Sequence, residues 1–428
     1  MNYVIYGAGY RGRGVSNYIG FDNVAAFIDT DKDKQGKKYF GKPVISIEEY
    51  INKYFMHYII ITPICIDNIE VELEWRGIYQ YSNLINMPSE FLGYGNYTFE
   101  LDYRNLKHSS TEYCCIYGIN AFSLLLYDFL CKDKKISVCP EIECKQEKIE
   151  WLKKYYPNIT IKEYSNIKDN EMILMSDVGE IGKKYPNTIL DLFEYANKNY
   201  YQNEELLKVK NIYKEKKKCF IVATGPSLRI EDLHTLKKNN IICFGVNSII
   251  KVSKEWTSNV YVATDSQFVN DNMTEIANYG CDMKFISDAC EEYWREYCEN
   301  SYKIHCAVTR IGTGFSEKIG QKVYSGYKGG GTVTYVCLQL AVYMGFTEIY
   351  LLGTDCNYII GSSNNHFIKD DVVDNKNHGT ELMIKAYECA RDYANAHNIK
   401  IYNATRGGML EVFERVNFDS LFEERKSE

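Results

Sequence analysis

The sequence predicts an α/β fold made of several Rossmann-like domains, each built on a parallel sheet. Three observations carry this prediction. Apolar, β-branched runs stop abruptly at small polar residues, helical stretches separate many of these runs, and three strand-turn-helix openings divide the chain. At 428 residues the chain is too long for one hydrophobic core, so we expect two to four domains.

The first opening, NYVIYGAGYRGRG, predicts a strand, a tight turn and the start of a helix. VAAFID and HYIIIT are two further strands, and GKPVISIEEY is a short strand that leads into a helix. This βαβ pattern indicates a Rossmann-like domain over residues 1–105. The second opening, EYCCIYGIN, begins a smaller, degenerate α/β domain over 106–185, with strands in KISVCPEI and MILMSD. The polar segment 186–217 is predicted to be a solvated helical linker.

The third opening, CFIVATGPSL, begins the domain expected over 218–428. It is followed by the strand-like runs IICFGVNSI, NVYVATD, MKFISD, EIYLLGTD and IKIYNAT, most of which end in Gly, Asn, Asp, Ser or Thr. A parallel sheet covered on both faces has this pattern. Ligands of such sheets bind outside the carboxyl ends of the strands, so these small polar residues are the first candidates for a site.

Composition and charge narrow the function classes. A formal net charge of −7 argues against nucleic acid as the main partner, because phosphate neutralisation needs a basic face. The fifteen cysteines include no Cys-x-x-Cys pair and indicate buried thiols in a reducing compartment. No apolar run reaches the length of a membrane span, and the start lacks the layout of a signal peptide. We therefore expect a cytoplasmic protein, and leave peripheral membrane contact and a homo-oligomer open.

The first glycine loop has the spacing of a dinucleotide-binding fingerprint. Gly7, Gly9 and Gly12 follow a strand as G-x-G-x-x-G, and Asp29 ends the next strand. The alternative is that these glycines only permit a tight turn and close helix packing. The segment resembles the small Rossmann domains joined to nucleotide-sugar epimerases, acetyltransferases and glycosyltransferases. That resemblance implies a sugar-processing context and a nucleotide-binding role for the four residues.

The Gly-Pro-Ser turn of the third opening fits either a phosphate loop or a plain turn. Gly225 allows close approach of the backbone, Pro226 favours a helix start, and Ser227 is a cap or a hydrogen-bond donor. A triple glycine ending at Gly331 precedes a second apolar helix and is another candidate phosphate cradle, in which a threonine hydroxyl would donate. Its alternative is an N-cap that follows a loop.

Four segments in order, ATGPSL, FGVNS, GGTVTYVCLQLAVYMGFTEIYLLGTD and the histidine-containing stretch ending in IKIYNAT, resemble the bacterial CMP-sialic acid-dependent sialyltransferases. They resemble even more closely the motility-accessory flagellin glycosyltransferases and polysaccharide-locus proteins related to them. The resemblance covers residues 217–425 and implies a sialyltransferase-like nucleotide-binding fold. The same pattern also resembles archaeal pterin pyrophosphokinases.

The resemblance implies roles for individual residues. A histidine before a late helix is the general base, for which His378 fits better than His366, and a tyrosine stabilises the leaving phosphate, for which Tyr358 is the nearest match. The nucleotide-binding residues that the resemblance implies are Gly225, Pro226, Ser227, Asn247 and either Thr332 or Thr334. Further nucleotide-binding candidates, from their places at strand ends and in the glycine run, are Thr224, Asp265, Gly331, Gly353 and Asp355. The sequence departs from the family at Thr224, where the family has Asn, and Tyr358 lies one residue further from the glycine.

Three functions follow from these observations. The leading one is an inverting glycosyltransferase that moves sialic acid or a related nonulosonate from a CMP-sugar donor to a glycan or flagellin-like acceptor. It needs a base and donors to the leaving phosphate, with no obligatory metal. The second is an ATP-dependent pyrophosphokinase-like phosphotransferase, which would require Mg²⁺. The third is a non-catalytic nucleotide-binding module.

Overall fold

The computed structural model describes residues 2–63, 67–84, 98–107, 112–176, 188–192, 195, 203–297, 300–309, 315, 323–327, 331–357, 366–367 and 380–423. The chain divides into two compact units, Met1–Tyr200 and Tyr201–Glu428. Both units consist of largely parallel sheets with helices, which confirms the α/β, Rossmann-like class expected from the sequence.

The first sheet contains β1 (Tyr3–Tyr6), β2 (Val24–Ile28), β3 (Lys38–Tyr39), β4 (Lys42–Ile45), β5 (Tyr58–Ile61) and β6 (Tyr81–Asn83). Its order is β3-β4-β2-β1-β5-β6, and every neighbouring pair except β3–β4 is parallel. The helices are α1 (Tyr10–Ile19), α2 (Ile47–Glu49), α3 (Asp67–Trp75) and α4 (Phe99–Lys107). The strand order reverses between β1 and β5, so the first glycine loop lies at a topological switch point.

The second sheet of this unit contains β7 (Tyr113–Tyr117), β8 (Lys135–Cys139), β9 (Met172–Met175) and β10 (Ile189–Asp191). Its order is β10-β9-β7-β8, with all pairs parallel. The helices α5 (Ala121–Leu130) and α6 (Gln146–Tyr155) accompany it. Side chains from both sheets share one hydrophobic cluster, to which Ile5 and Phe27 contribute from the first sheet and Ile116 and Val138 from the second.

The C-terminal unit contains β11 (Lys218–Val222), β12 (Cys243–Val246), β13 (Val260–Ala263), β14 (Met283–Ser287), β15 (Ser301–Ile304), β16 (Cys306–Thr309), β17 (Val323–Tyr327), β18 (Glu348–Leu352), β19 (Lys400–Asn403) and β20 (Glu414–Arg415). Eight of them form a sheet in the order β15-β14-β13-β12-β11-β18-β19-β20, with every pair parallel. The strands β16 and β17 form a separate parallel pair.

The helices of this unit are α7 (Ile230–Lys238), α8 (Ser266–Asp271), α9 (Met273–Asn278), α10 (Glu291–Glu296), α11 (Val333–Tyr343) and α12 (Thr380–Ala396). Hydrophobic clusters line both faces of the large sheet, as expected for a parallel sheet. Nearly every residue of α11 is buried, which explains why its sequence is apolar all round. Among the helices that the structure describes, none combines the length and the apolar character needed to span a membrane.

The segment 186–217 differs from the helical linker expected there. Ile189–Asp191 form the edge strand β10, and Glu204–Val209 and Lys214–Lys216 are short 3₁₀ turns. Leu206 and Val209 are buried in the core of the C-terminal unit. These two apolar side chains give the turn a packed face, so this part of the segment belongs to the second unit and is not a solvated helix.

Candidate functional site

The candidate site lies where β11 and β18 end side by side. The chain runs from β11 to β15 on one side of the sheet and returns to β18 on the other, so the strand order reverses between β11 and β18. Beyond the strands the two loops stay hydrogen-bonded, Ala223 N donating to Leu352 O at 2.8 Å and Gly225 N to Gly353 O at 2.9 Å. Ligands of open parallel sheets bind in the crevice at such a reversal. We call this place the switch crevice.

The Gly-Pro-Ser segment forms a β-turn at one wall of the switch crevice. Leu228 N donates to Gly225 O at 3.1 Å, and Pro226 occupies the second position of the turn, which its fixed φ favours. The helix α7 begins only at Ile230, so Pro226 does not start a helix and the expectation drawn from its ring was wrong. At the start of α7, Asp232 Oδ2 accepts from Arg229 N at 3.2 Å. A carboxylate therefore already occupies that helix terminus.

We call the loop after β11 the first wall of the switch crevice and the loop after β18 the second wall. The hydroxyl group and the backbone N–H of Ser227, in the first wall, face the carboxyl group of Asp355, in the second. Ser227 Oγ donates to Asp355 Oδ2 at 2.9 Å, and Ser227 N lies 3.5 Å from the same oxygen. Asp355 is 6% exposed. Burial raises the pKa of the Asp355 carboxyl above its ordinary value, although the hydrogen bonds from Ser227 and the charge of Arg415 oppose the rise. A carboxyl group of the protein thus already lies where the sequence predicts a phosphate.

Two glycines permit this contact. A Cβ on Gly225 would stand 2.0 Å from Asp355 Oδ2 and 2.4 Å from Gly353 O. Gly353 has φ +69°, and its Cβ would stand 2.6 Å from Ala223 O. Side chains at either position would separate the two loops, so both glycines are explained by the close approach of the walls.

Two buried polar atoms that follow the strands on either side of β11 lack a hydrogen-bond partner among the described residues. They are Oδ1 of Asn247, which follows β12, and Oγ1 of Thr354, whose residue is 5% exposed. Asn247 adopts a left-handed φ of +41°, and Tyr261 Oη donates to its carbonyl oxygen at 3.0 Å. Buried polar groups are nearly always paired, so each of these two atoms is a candidate for a contact with a bound water, ion or ligand.

Another segment reaches the switch crevice from further along the chain. Phe367 N donates to Thr224 O at 2.9 Å, which places His366 next to the first wall. The other catalytic candidates, His378 and Tyr358, lie outside the described residues. The sequence favoured His378, whereas His366 is the candidate base that the described structure brings to the loop.

The remaining predicted nucleotide-binding residues lie at two helix starts. Asp265 Oδ1 accepts from Phe268 N at 3.0 Å and so caps α8. Thr332 is the N-cap of α11 and accepts from Thr334 N at 3.3 Å, while Thr334 is 3% exposed. Gly331 directly precedes this cap. Local capping accounts for Asp265 and Thr332, and a role of these four residues in nucleotide binding stays a prediction.

The loop after β19, residues 404–410, borders the second wall; its sequence fits a plain loop or one in which Arg406 approaches a phosphate or a carboxylate. Thr354 N donates to Thr405 Oγ1 at 3.0 Å, and Met409 N donates to Asp355 O at 2.7 Å. Arg406 pairs with Asp232 at 2.5 Å and with Asp419 at 2.8 Å, so it binds carboxylates of this chain. Of the two partners considered for Arg406, the structure shows carboxylates, and its contact with a phosphate stays a prediction.

Residues 194–361 match the family model described as 6-hydroxymethylpterin diphosphokinase MptE-like. The match includes both walls of the switch crevice and confirms the resemblance to pterin pyrophosphokinases. No curated protein matches the chain, and no solved structure matches it. The resemblance to sialyltransferases has no support from these comparisons.

In the first glycine loop, each of the three glycines has a different structural surrounding. Gly7 has φ +109°, and a Cβ on Gly12 would stand 2.1 Å from Gly7 O. Gly9 has open space around it, with no atom within 4 Å of a built Cβ. This division into turn, open approach and close helix packing matches the roles of the three glycines in a dinucleotide-binding loop.

Asp29 is engaged by donors of its own unit. Its carboxylate accepts from Ala8 N, Asp31 N and Lys34 Nζ, each at 3.0 Å. Burial by itself would raise the pKa of the Asp29 carboxyl, but these hydrogen bonds lower it below its ordinary value. Asp29 therefore anchors the glycine loop through Ala8, and its predicted contact with a nucleotide stays a prediction.

Proposed function

We propose that the C-terminal unit is a nucleotide-dependent transferase that binds the phosphates of its nucleotide in the switch crevice. The observation that carries the proposal is the Ser227–Asp355 pair at the strand-order reversal. Thr354 Oγ1, next to Asp355 in the chain, and Asn247 Oδ1, at the end of β12 beside β11, have no partner among the described residues and would supply further polar contacts. The match to a diphosphokinase-like family supports transfer chemistry at this place.

A phosphate bound at the Gly-Pro-Ser turn would lie close to the Asp355 carboxyl group, and two negative charges so close together repel each other. A divalent cation relieves the repulsion. Asp355 and Ser227 present a carboxylate and a hydroxyl, which are oxygen donors of the kind Mg²⁺ prefers. The described residues contain no group of three or more His, Cys, Asp or Glu side chains that could hold a metal ion. Mg²⁺ is usually held by one or two carboxylates plus substrate phosphates and water, so this donor set fits it.

The reaction that this arrangement favours is transfer of a diphosphate group from ATP to a hydroxyl acceptor. The acceptor oxygen loses its proton and bonds to the β-phosphorus, the bond from that phosphorus to the α,β-bridging oxygen breaks, and AMP leaves. Bound Mg²⁺ would neutralise charge on the phosphoryl oxygens. Ser227 and Asp355 would hold the ion, and Asn247 and Thr354 would orient the nucleotide from either side. The second candidate is the inverting transfer of an acidic sugar from a CMP-sugar. His366 favours it, because its neighbour Phe367 is bonded to Thr224 and a histidine suits the role of base toward an acceptor hydroxyl.

An Asp355→Asn variant separates the two reactions by the sign of its effect. The asparagine oxygen still accepts from Ser227, so the turn keeps its contact while one negative charge is removed. If Mg·ATP is the substrate, the variant loses a metal ligand and we expect its affinity for Mg·ATP to fall about tenfold or more. If a metal-free CMP-sugar is the substrate, the variant loses a repulsion and its affinity for CMP rises.

The matched control is Asp271→Asn, an exposed carboxylate on α8 with the same charge change. Calorimetric titration of the three proteins with Mg·ATP and with CMP gives the affinities. We expect weaker Mg·ATP binding in Asp355→Asn alone. If Asp355→Asn instead bound CMP more tightly and the wild type did not bind Mg·ATP, the result would support sugar transfer and contradict diphosphate transfer. If the wild type bound neither nucleotide, the proposed function would be wrong.

A further inference from the structure

The loop 404–410, which follows β19, is packed directly on the backbone of Asp355. A Cβ on Gly408 would stand 2.5 Å from Asp355 O, and Met409 N donates to that same oxygen at 2.7 Å. Thr405 Oγ1 accepts from Thr354 N at 3.0 Å. The loop therefore makes three separate contacts with the second wall of the switch crevice, all through the backbone of that wall.

The loop has little regular structure to hold this shape by itself. Gly407 and Gly408 both have left-handed backbone angles, with φ of +78° and +76°. Asn403, which is fully buried, supports its two ends: Oδ1 accepts from Thr405 N at 3.0 Å and Nδ2 donates to Leu410 O at 2.8 Å. The carbonyl oxygens between those ends need donors from elsewhere.

Arg415 supplies those donors. Its Nη1 donates to Thr405 O at 3.1 Å and to Gly407 O at 2.7 Å, and its Nη2 donates to Gly408 O at 3.2 Å. Glu411 holds the guanidinium from its other edge at 2.6 Å. One planar fork thus ties together carbonyl groups along the loop, which a lysine ammonium lacks the shape to do.

We propose that Arg415 is a positioning residue for the switch crevice: it fixes the 404–410 loop against Asp355 and thereby sets the Asp355 carboxylate against Ser227. This inference rests on the proposed function, since it matters to a ligand only if that ligand binds at Asp355. The described hydrogen-bond partners of Arg415 are the loop carbonyls and Glu411, and Ser227 is not among them. Besides its charge, which lowers the pKa of the Asp355 carboxyl, Arg415 acts through the loop and the backbone of Asp355.

The variant Arg415→Lys tests this role, because it keeps the positive charge and removes the fork. Arg391→Lys is the matched control, since Arg391 is a surface residue on α12 that pairs with its neighbour Asp392. The readout is the Kd of the full chain for the nucleotide that the wild type binds, CMP or Mg·ATP, measured well below the unfolding temperature. We expect Arg415→Lys to change this Kd about tenfold and Arg391→Lys to leave it unchanged.

A double-mutant cycle with Asp355→Asn distinguishes positioning from a general loss of stability. If Arg415 acts through Asp355, Arg415→Lys has little further effect on the Kd once Asp355 is replaced. A purely structural role would lower the affinity by the same factor in both backgrounds, and that result would overturn the inference. So would a wild-type Kd in Arg415→Lys. If the wild type bound neither nucleotide, the proposed function would fail and the inference with it.

Discussion

Ser227 and Asp355 lie 128 positions apart in the chain, yet the serine hydroxyl donates to the carboxylate at 2.9 Å where two neighbouring strands end. The contact connects the loop after β11 with the loop after β18 at the reversal of strand order. It also means that a carboxylate of the protein occupies the donors expected to bind phosphate. A nucleotide at this place must coexist with Asp355, through a cation or a proton, or displace it.

Replacement of Gly225 by alanine should disturb this contact. The added methyl group would overlap Asp355 Oδ2 and Gly353 O. Because Gly353 O is a backbone atom, it cannot move aside as easily as a flexible side chain. Overpacking of this kind costs about 1–3 kcal/mol, so we expect the free energy of unfolding to fall by that amount. Urea denaturation measures it. The exposed Gly280→Ala, whose Cβ would meet no atom within 4 Å, is the control. Equal stability of the two variants would contradict the close approach.

Asp355 predicts a pH dependence of stability with a definite sign. Burial raises the pKa of its carboxyl in the folded state, so the folded protein binds the proton more tightly than the unfolded chain. The contribution of Asp355 to the free energy of unfolding is therefore complete below the pKa of the unfolded chain, which is about 4. It declines as the pH rises from there through the pKa of the folded state. Asp355→Asn removes this decline. Urea unfolding from pH 4 to 7 should show the variant gaining stability relative to wild type, and a constant difference would argue against a raised pKa.

Arg406 should matter for stability through Asp232. The Asp232 side chain is 4% exposed and pairs with Arg406 at 2.5 Å, while the Arg406 guanidinium also lies 5.2 Å from the centre of the Phe418 ring. Arg406→Ala leaves a buried carboxylate without its counter-ion, and we expect a loss of about 3 kcal/mol. Adding Asp232→Asn should recover part of that loss. No recovery in thermal or urea unfolding would show that the ion pair is not the cause.

The glycines of the N-terminal loop should respond differently to the same substitution. Gly12→Ala places a methyl group 2.1 Å from Gly7 O and should destabilise the N-terminal unit by about 1–3 kcal/mol. Gly9→Ala meets open space at an ordinary φ of −137° and should change the free energy of unfolding by less than about 0.5 kcal/mol. A comparison of their urea midpoints tests this order, and the reverse order would refute the packing described for α1.

Six of the eight strands described in the large C-terminal sheet were readable from sequence, because each is an apolar run that stops near a small polar residue; β15 and β20, with the sequences SYKI and ER, lack that pattern and were not predicted. The runs in CFIVATGPSL and EIYLLGTD became β11 and β18, and the residues after them form the switch crevice. The start of α7 was misplaced because the proline of a Gly-Pro-Ser turn has the same φ as the first residue of a helix. Tertiary contacts decided between the two, since Gly353 and Asp355 hold the turn.

Arg415 could not have been found from sequence. It stands in FERVN, which contains no motif, and its partners are Glu411 and carbonyl oxygens, which every residue has. Its role depends on the left-handed turn at Gly407 and Gly408, which brings those carbonyls to one point. Thr354 is similar: its position at a strand end was visible, but its lack of a partner depends on three-dimensional packing. The predictions for His378 and Tyr358 lie outside the described residues.

The most direct test of the account is calorimetric titration of the full chain with CMP and with Mg·ATP, in wild type and in a Ser227→Ala, Asn247→Ala double variant. A Ser420→Ala, Asn417→Ala double variant is the control, since this surface pair lies elsewhere in the same unit. We predict that the wild type and the control bind one of the two nucleotides and that the first variant loses at least tenfold in affinity. Equal binding by all three proteins, or no binding by the wild type, would contradict a nucleotide site in the switch crevice.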